Sequence, residues 1–90
     1  MNWSERLILL NPEDIILYTK VENWPDCIQA KEFLIANNID YTVKDVVENR
    51  EFMMELVNKH RLMSVPVLVV KDGDPIVGFD KAKYTKVLGI

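Results

Sequence analysis

The sequence predicts a single α/β domain of element order βαβαββα, with a four-stranded mixed sheet flanked by helices. Three observations carry this reading. The apolar run Ile15-Ile16-Leu17-Tyr18-Thr19 precedes a segment with helical spacing and then a second strand-like run, which is the pattern of a βαβ unit. Val67-Leu68-Val69-Val70 and Ile76-Val77, on either side of Asp72-Gly73, read as an antiparallel hairpin. The chain has 90 residues, enough for one core and too few for two.

Residues 1–14 form a leader ahead of a domain at 15–90. Ser4 is placed to cap a short helix carrying Leu7, Ile8, Leu9 and Leu10, which Asn11-Pro12 ends. The run from Ile15 to Thr19 is apolar without alternation, as expected of a strand covered on both faces. Pro25 suits the first turn of the next helix, with Asn23 or Trp24 at the cap. Cys27, Ala30 and Leu34 recur at helical spacing, Phe33 widens the stripe, and Asn37-Asn38 supplies the stop. Tyr41 to Val46 is a second strand, and Asn49 caps a helix to about Arg61 with Phe52, Leu56 and Val57 inward. After the hairpin, Asp80 caps a last helix holding Tyr84, Val87 and Leu88.

Hydrophobic residues make up 49% and charged residues 28%, the balance of a folded chain rather than a disordered one. The net charge is −3 and the cations are dispersed, which argues against nucleic acid as a partner. Leu7 to Leu10 is too short for a signal-peptide core or a membrane span. A cytoplasmic monomer is the expectation. The single cysteine, Cys27, forms no internal disulfide, and with His60 as the only histidine no Cys/His metal cluster is expected.

Five blocks are similar, in order, to the glutaredoxins and to the redoxins that serve ribonucleotide reductase. They are Tyr18-Thr19-Lys20, the segment from Cys27 to Leu34, Ile39-Asp40-Tyr41, Ser64-Val65-Pro66-Val67 and Val77-Gly78-Phe79-Asp80. The resemblance implies the thioredoxin fold and thiol–disulfide chemistry. It also implies a cis bond before Pro66, leaving the backbone groups of Val65 for an extended peptide or glutathione. By the same resemblance Lys20 would face the glycine carboxylate of glutathione, and Gly78-Phe79-Asp80 its γ-glutamyl end. Lys81 departs from the acidic residue that many glutathione-binding relatives carry there.

The family's Cys-Pro-x-Cys reads Trp24-Pro25-Asp26-Cys27 in this chain. Aligning Cys27 with the first cysteine instead would shorten the helix by three residues and turn Ala30 and Leu34 off the core face. Cys27 therefore takes the second, resolving position, and tryptophan stands where the nucleophile belongs. Two readings of Cys27 stay open. In the first helical turn its thiolate is favoured, whereas burial in apolar surroundings makes a thiol inert. Trp24 is either a lid folded over the helix start or the centre of a partner surface with Val65-Pro66, Phe79 and Tyr18 or Trp3, rimmed by Lys20 and Asp80. His60 is expected at a helix C-terminus.

Two functions follow. In one the fold has lost dithiol exchange and binds a protein partner near Trp24, Pro25 and the Val65-Pro66 turn. In the other Cys27 alone exchanges with glutathione as a monothiol oxidoreductase. No tightly bound cofactor is expected, and glutathione is the small molecule the resemblance admits.

Overall fold

The computed structural model describes residues 11–20 and 24–90. Its strands are β1 (Ile15–Thr19), β2 (Thr42–Asp45), β3 (Val67–Val70) and β4 (Ile76–Val77). Its helices are α1 (Pro25–Ala36), α2 (Arg50–His60) and α3 (Lys81–Leu88), and a 3-10 turn at Pro12–Asp14 leads into β1. The order is the predicted βαβαββα. The strands line up as β2-β1-β3-β4, with β1 parallel to β2 and antiparallel to β3, and with β3 antiparallel to β4.

Successive strand residues point to opposite faces, so β1 and β3 feed two cores. Ile15, Leu17 and Leu68 join Ala30 and Leu34 of α1 and Tyr84 and Leu88 of α3 on one face. Tyr18, Val67 and Val69 join Leu56 of α2 and Val46 on the other. This is why β1 reads as an unbroken apolar run.

The helix ends follow the expected chemistry. The Asn49 side chain accepts from Glu51 N–H at 2.9 Å and the Asp80 carboxylate from Lys83 N–H at 3.1 Å, each meeting a donor left over by the first turn. Asn38, with φ 56°, takes the left-handed conformation that stops α1. Phe52 and Val57 are only half-buried, and Leu56 alone of α2 is fully so. Val87 is exposed, a correction to its expected place inside: Tyr84 and Leu88 define the buried stripe, and Val87 lies about 100° round the axis from Leu88. The predicted helix over Leu7–Leu10 lies outside the described residues. Asn11-Pro12 opens the 3-10 turn, in which Asn11 N–H donates to the Asp14 carboxylate at 3.0 Å.

The β3–β4 turn sits one residue earlier than Asp72-Gly73 suggests. Lys71 and Asp72 are its central residues, with φ 51° and 57°, and Gly73 N–H closes it onto Val70 C=O at 2.9 Å. Two left-handed residues in sequence match the twist of the strands, as in a type I′ turn. Glycine suits the closing position because a Cβ there would stand 3.0 Å from the Val70 oxygen, tighter than most Cβ contacts. Lysine and aspartate are costly choices for φ > 0. The double change Lys71→Asn with Asp72→Gly is therefore expected to stabilise the fold by about 1 kcal/mol in chemical denaturation. An unchanged midpoint would contradict this account of the turn.

Candidate functional site

The site lies where β1 ends and α1 begins. Val46 N–H donates to Thr19 C=O at 2.9 Å, and Tyr18 pairs with Val67, so the next position of the antiparallel register sets Pro66 opposite Thr19. The Val65-Pro66 bond is cis, as the resemblance implies. Gly78 N–H donates to Pro66 C=O at 2.8 Å, which ties the β4–α3 turn to this corner. Among the described residues nothing donates to or accepts from the backbone of Val65.

Trp24 is the N-cap of α1 and its carbonyl accepts from Ile28 N–H at 3.1 Å. Pro25 follows at the first helical position, where its missing N–H removes nothing the helix uses. The indole is 48% exposed, and the Lys20 ammonium sits 4.2 Å from its ring centroid in a cation–π contact. Trp24 is thus a surface side chain and not part of the core.

Cys27 is the opposite case. One turn into α1 it is 1% exposed, on the same helix face as Ala30 and Leu34. A Cβ on Gly78 would stand 3.7 Å from an Asp26 carboxylate oxygen, so the start of α1 and the β4–α3 turn meet side by side. Gly78 holds φ 77°, a conformation open to glycine at little cost. The Tyr84 hydroxyl donates to Gly78 C=O at 3.3 Å. Burial first, then the neighbouring Cys27 and Asp26, push the Tyr84 phenol above its ordinary range, so it stays a neutral donor at physiological pH. The Thr19 hydroxyl is fully buried and has no hydrogen-bond partner among the described residues.

The structure brings Cys27, Asp26, Pro66, Gly78 and Tyr84 together and sets Lys20 on Trp24. It does not place every expected residue on the surface. Tyr18 is fully buried and faces α2, because strand alternation turns it away from Leu17 and Thr19. The expectation that it lines a surface around Trp24 is thereby corrected, and Trp3 lies outside the described residues. Phe79 is half-buried, packed on Phe33 at 5.7 Å and Tyr84 at 5.1 Å between ring centroids. Asp80 caps α3, and Lys81 beside it is exposed.

His60 ends α2 with its ring edge-on to Tyr18 at 5.7 Å, on the far face of the sheet from Cys27. Burial first, then Lys59, lowers its pKa below the ordinary histidine value. No pattern in the sequence marks Asp26 as a neighbour of the β4–α3 turn, and Met63 is 79% exposed two residues before Val65. A methionine just ahead of Ser64-Val65-Pro66 was the available signal for the latter.

Among the described residues no group of three or more His, Cys, Asp or Glu is placed to hold a metal ion, and no helix is long and apolar enough to cross a membrane. Chemically, the arrangement offers one sheltered thiol, an exposed indole with a cation on it, and unpaired backbone groups beside a cis-proline.

Comparison with known proteins finds relatives by sequence and by fold. The sequence model of the glutaredoxin family matches residues 15–76. A glutaredoxin-like 8.6 kDa protein encoded in the rubredoxin operon of Clostridium pasteurianum is 34% identical over 64 residues, covering 71% of this chain and 84% of that protein. The crystal structure of a mutant of the thioredoxin-like protein BC3987 superposes with a TM-score of 0.79 at 31% identity, covering 87% of this chain and 97% of the other. The glutaredoxin of Archaeoglobus fulgidus shares the fold, with a TM-score of 0.73 at 18% identity over 98% of this chain and 95% of its own.

Proposed function

Because this chain belongs to the glutaredoxin family, we propose that it is a glutaredoxin-like protein impaired in dithiol–disulfide exchange, whose fold serves to bind a protein partner near Trp24 and the Val65-Pro66 turn. The observation that carries this reading is the contrast at the start of α1: the sulfur of Cys27 is buried, while the exposed position belongs to an indole. A dithiol relay needs an accessible thiolate to attack and a second thiol to resolve the mixed disulfide. With one thiol, and that one sheltered, neither half of the relay is supplied.

The same corner supports partner binding. A half-exposed tryptophan with a charged rim is the kind of anchor that dominates protein interfaces. The unpaired backbone of Val65 suits the edge of an extended segment. Lys81 puts a cation where, by family resemblance, the ammonium of a γ-glutamyl group would lie, which favours a protein partner over glutathione. Lys20, engaged on the indole, is drawn from the carboxylate role the resemblance assigns to it.

The monothiol alternative makes Cys27 the nucleophile. The two readings separate in turnover of a small mixed disulfide with glutathione as reductant. The proposal expects the wild type and Cys27→Ala to share one low background rate. A wild-type rate like that of a dithiol glutaredoxin, abolished by Cys27→Ala, would establish the monothiol enzyme.

A further inference from the structure

The corner at Val65 carries an uneven set of charges. Tyr18 pairs with Val67, and Val67 with Val77. Two positions further along each register, Val65 stands between Lys20 on one side and Phe79 on the other, and among the described residues neither bonds to its backbone. Lys81 is exposed three residues beyond Gly78, whose N–H ties this turn to Pro66 C=O, and the exposed Lys83 follows in the same helical turn. Lys20 adds its charge from the face of the Trp24 ring. The carboxylates close by are Asp26 and Asp80. Asp80 is engaged as the helix cap, accepting from Lys83 N–H. Asp26 lies against Gly78 at the start of α1. The ion pairs among the described residues are Lys44 with Glu55 and Lys59 with Asp72, so neither Lys81 nor Lys83 has a carboxylate of its own.

We propose that the partner taken at this corner is an extended acidic segment of a protein, its main chain paired with Val65 and a carboxylate received by Lys81. The proposal rests on the reading of the corner as a protein-binding site and adds the chemistry of the partner. An N–H and a C=O left over on one residue are met together by the main chain of an extended segment. Such a segment advances about 3.3 Å per residue, so side chains within a few positions of the paired one come within reach of a long lysine stem at the turn. A basic segment would meet Lys81, Lys83 and Lys20, and like charges brought together at an interface are repelled. An acidic one gives Lys81 the counter-ion it lacks within the chain. Because these cations are exposed, the preference should weaken as salt screens them.

The test titrates the isotope-labelled full chain with blocked pentapeptides and follows backbone amide shifts. The probes are Glu-Val-Glu-Val-Glu, Gln-Val-Gln-Val-Gln and Lys-Val-Lys-Val-Lys. The glutamate peptide is expected to shift the Val65 and Gly78 amides and to bind about fivefold more tightly than the glutamine peptide at low salt. The lysine peptide should bind more weakly than either. Lys81→Glu, a change at an exposed position, should abolish the advantage of the glutamate peptide while the spectrum stays that of the folded protein. Equal affinity for the glutamate and glutamine peptides, with Val65 shifting in both, would overturn the acidic partner and leave the protein-binding reading standing. Shifts that spare Val65 with all three peptides would overturn both. An acidic preference unchanged in Lys81→Glu would also overturn the proposal, since it gives that lysine the carboxylate.

Discussion

Trp24→Cys is expected to raise the turnover of a small mixed disulfide with glutathione by on the order of a hundredfold or more, since it supplies an exposed thiolate at a helix N-terminus. The substitution rebuilds Cys-Pro-Asp-Cys across the first turn of α1. Position 24 is the extended N-cap and position 27 lies in the first turn of α1, so the two cysteines would face each other across the helix start. The new thiolate would attack the substrate disulfide and displace one thiolate as leaving group. Cys27 would then attack the resulting mixed disulfide and release the second thiolate, and two molecules of glutathione, oxidised to their disulfide, would reduce the protein disulfide so formed. Partner capture should fall in the same variant, because the indole is gone. A variant that folds normally and stays at background would show that the rest of the site has also lost the chemistry.

The second large effect concerns stability, on the opposite face of the sheet. The buried Tyr18 hydroxyl donates to the Glu55 carboxylate, which also receives Lys44 Nζ at 2.6 Å. The Lys44 cation lies near the rings of Phe52 and Tyr18, at 5.5 and 5.8 Å. Glu55→Ala leaves a buried phenol without its acceptor and a largely buried cation without its counter-ion, and is expected to cost about 2–3 kcal/mol. Glu55→Gln keeps an acceptor for Tyr18 and should cost less.

The pH dependence has a definite sign. Burial alone would raise the Glu55 pKa, but the hydrogen bonds from Lys44 and Tyr18 outweigh it and leave it below its usual value of 4.5. The stabilisation from this carboxylate is therefore fully present above about pH 4.5 and is lost as pH falls through the lower folded-state pKa. Denaturation midpoints measured across pH 3 to 6 should fall more steeply toward acid for the wild type than for Glu55→Gln, and equal slopes would contradict the assignment.

Most of the fold was legible in the sequence. β1 could be read because both its faces are covered, and Asn49 and Asp80 announce their helices because the first-turn donors need a side-chain oxygen. The hairpin is legible in the sequence, but its turn sits one residue earlier than Asp72-Gly73 suggests, since Asp-Gly is the usual central pair and here the glycine serves the close approach to Val70. The network of Tyr18, Lys44 and Glu55 left no trace in the sequence, as Tyr18 and Glu55 lie 37 positions apart and meet only across the packed sheet and helix. At the site, the spacing of Cys27, Ala30 and Leu34 foretold the burial of Cys27. The side taken by Tyr18 was also available from strand period, once Leu17 is assigned to the face of α1. The lean of Lys20 onto Trp24 was not, because a single contact between two surface side chains leaves no periodic signal.

The state of one sulfur decides between lost and retained thiol chemistry, and the alkylation rate of Cys27 tests it directly. Under native conditions the thiol should react far more slowly than a free cysteine at every pH up to about 8.5. Its rate should rise only along the denaturant unfolding curve. Fast alkylation of the folded protein, with a pH midpoint well below 8.5, would show an accessible thiolate, contradict the sheltered thiol and favour the monothiol enzyme.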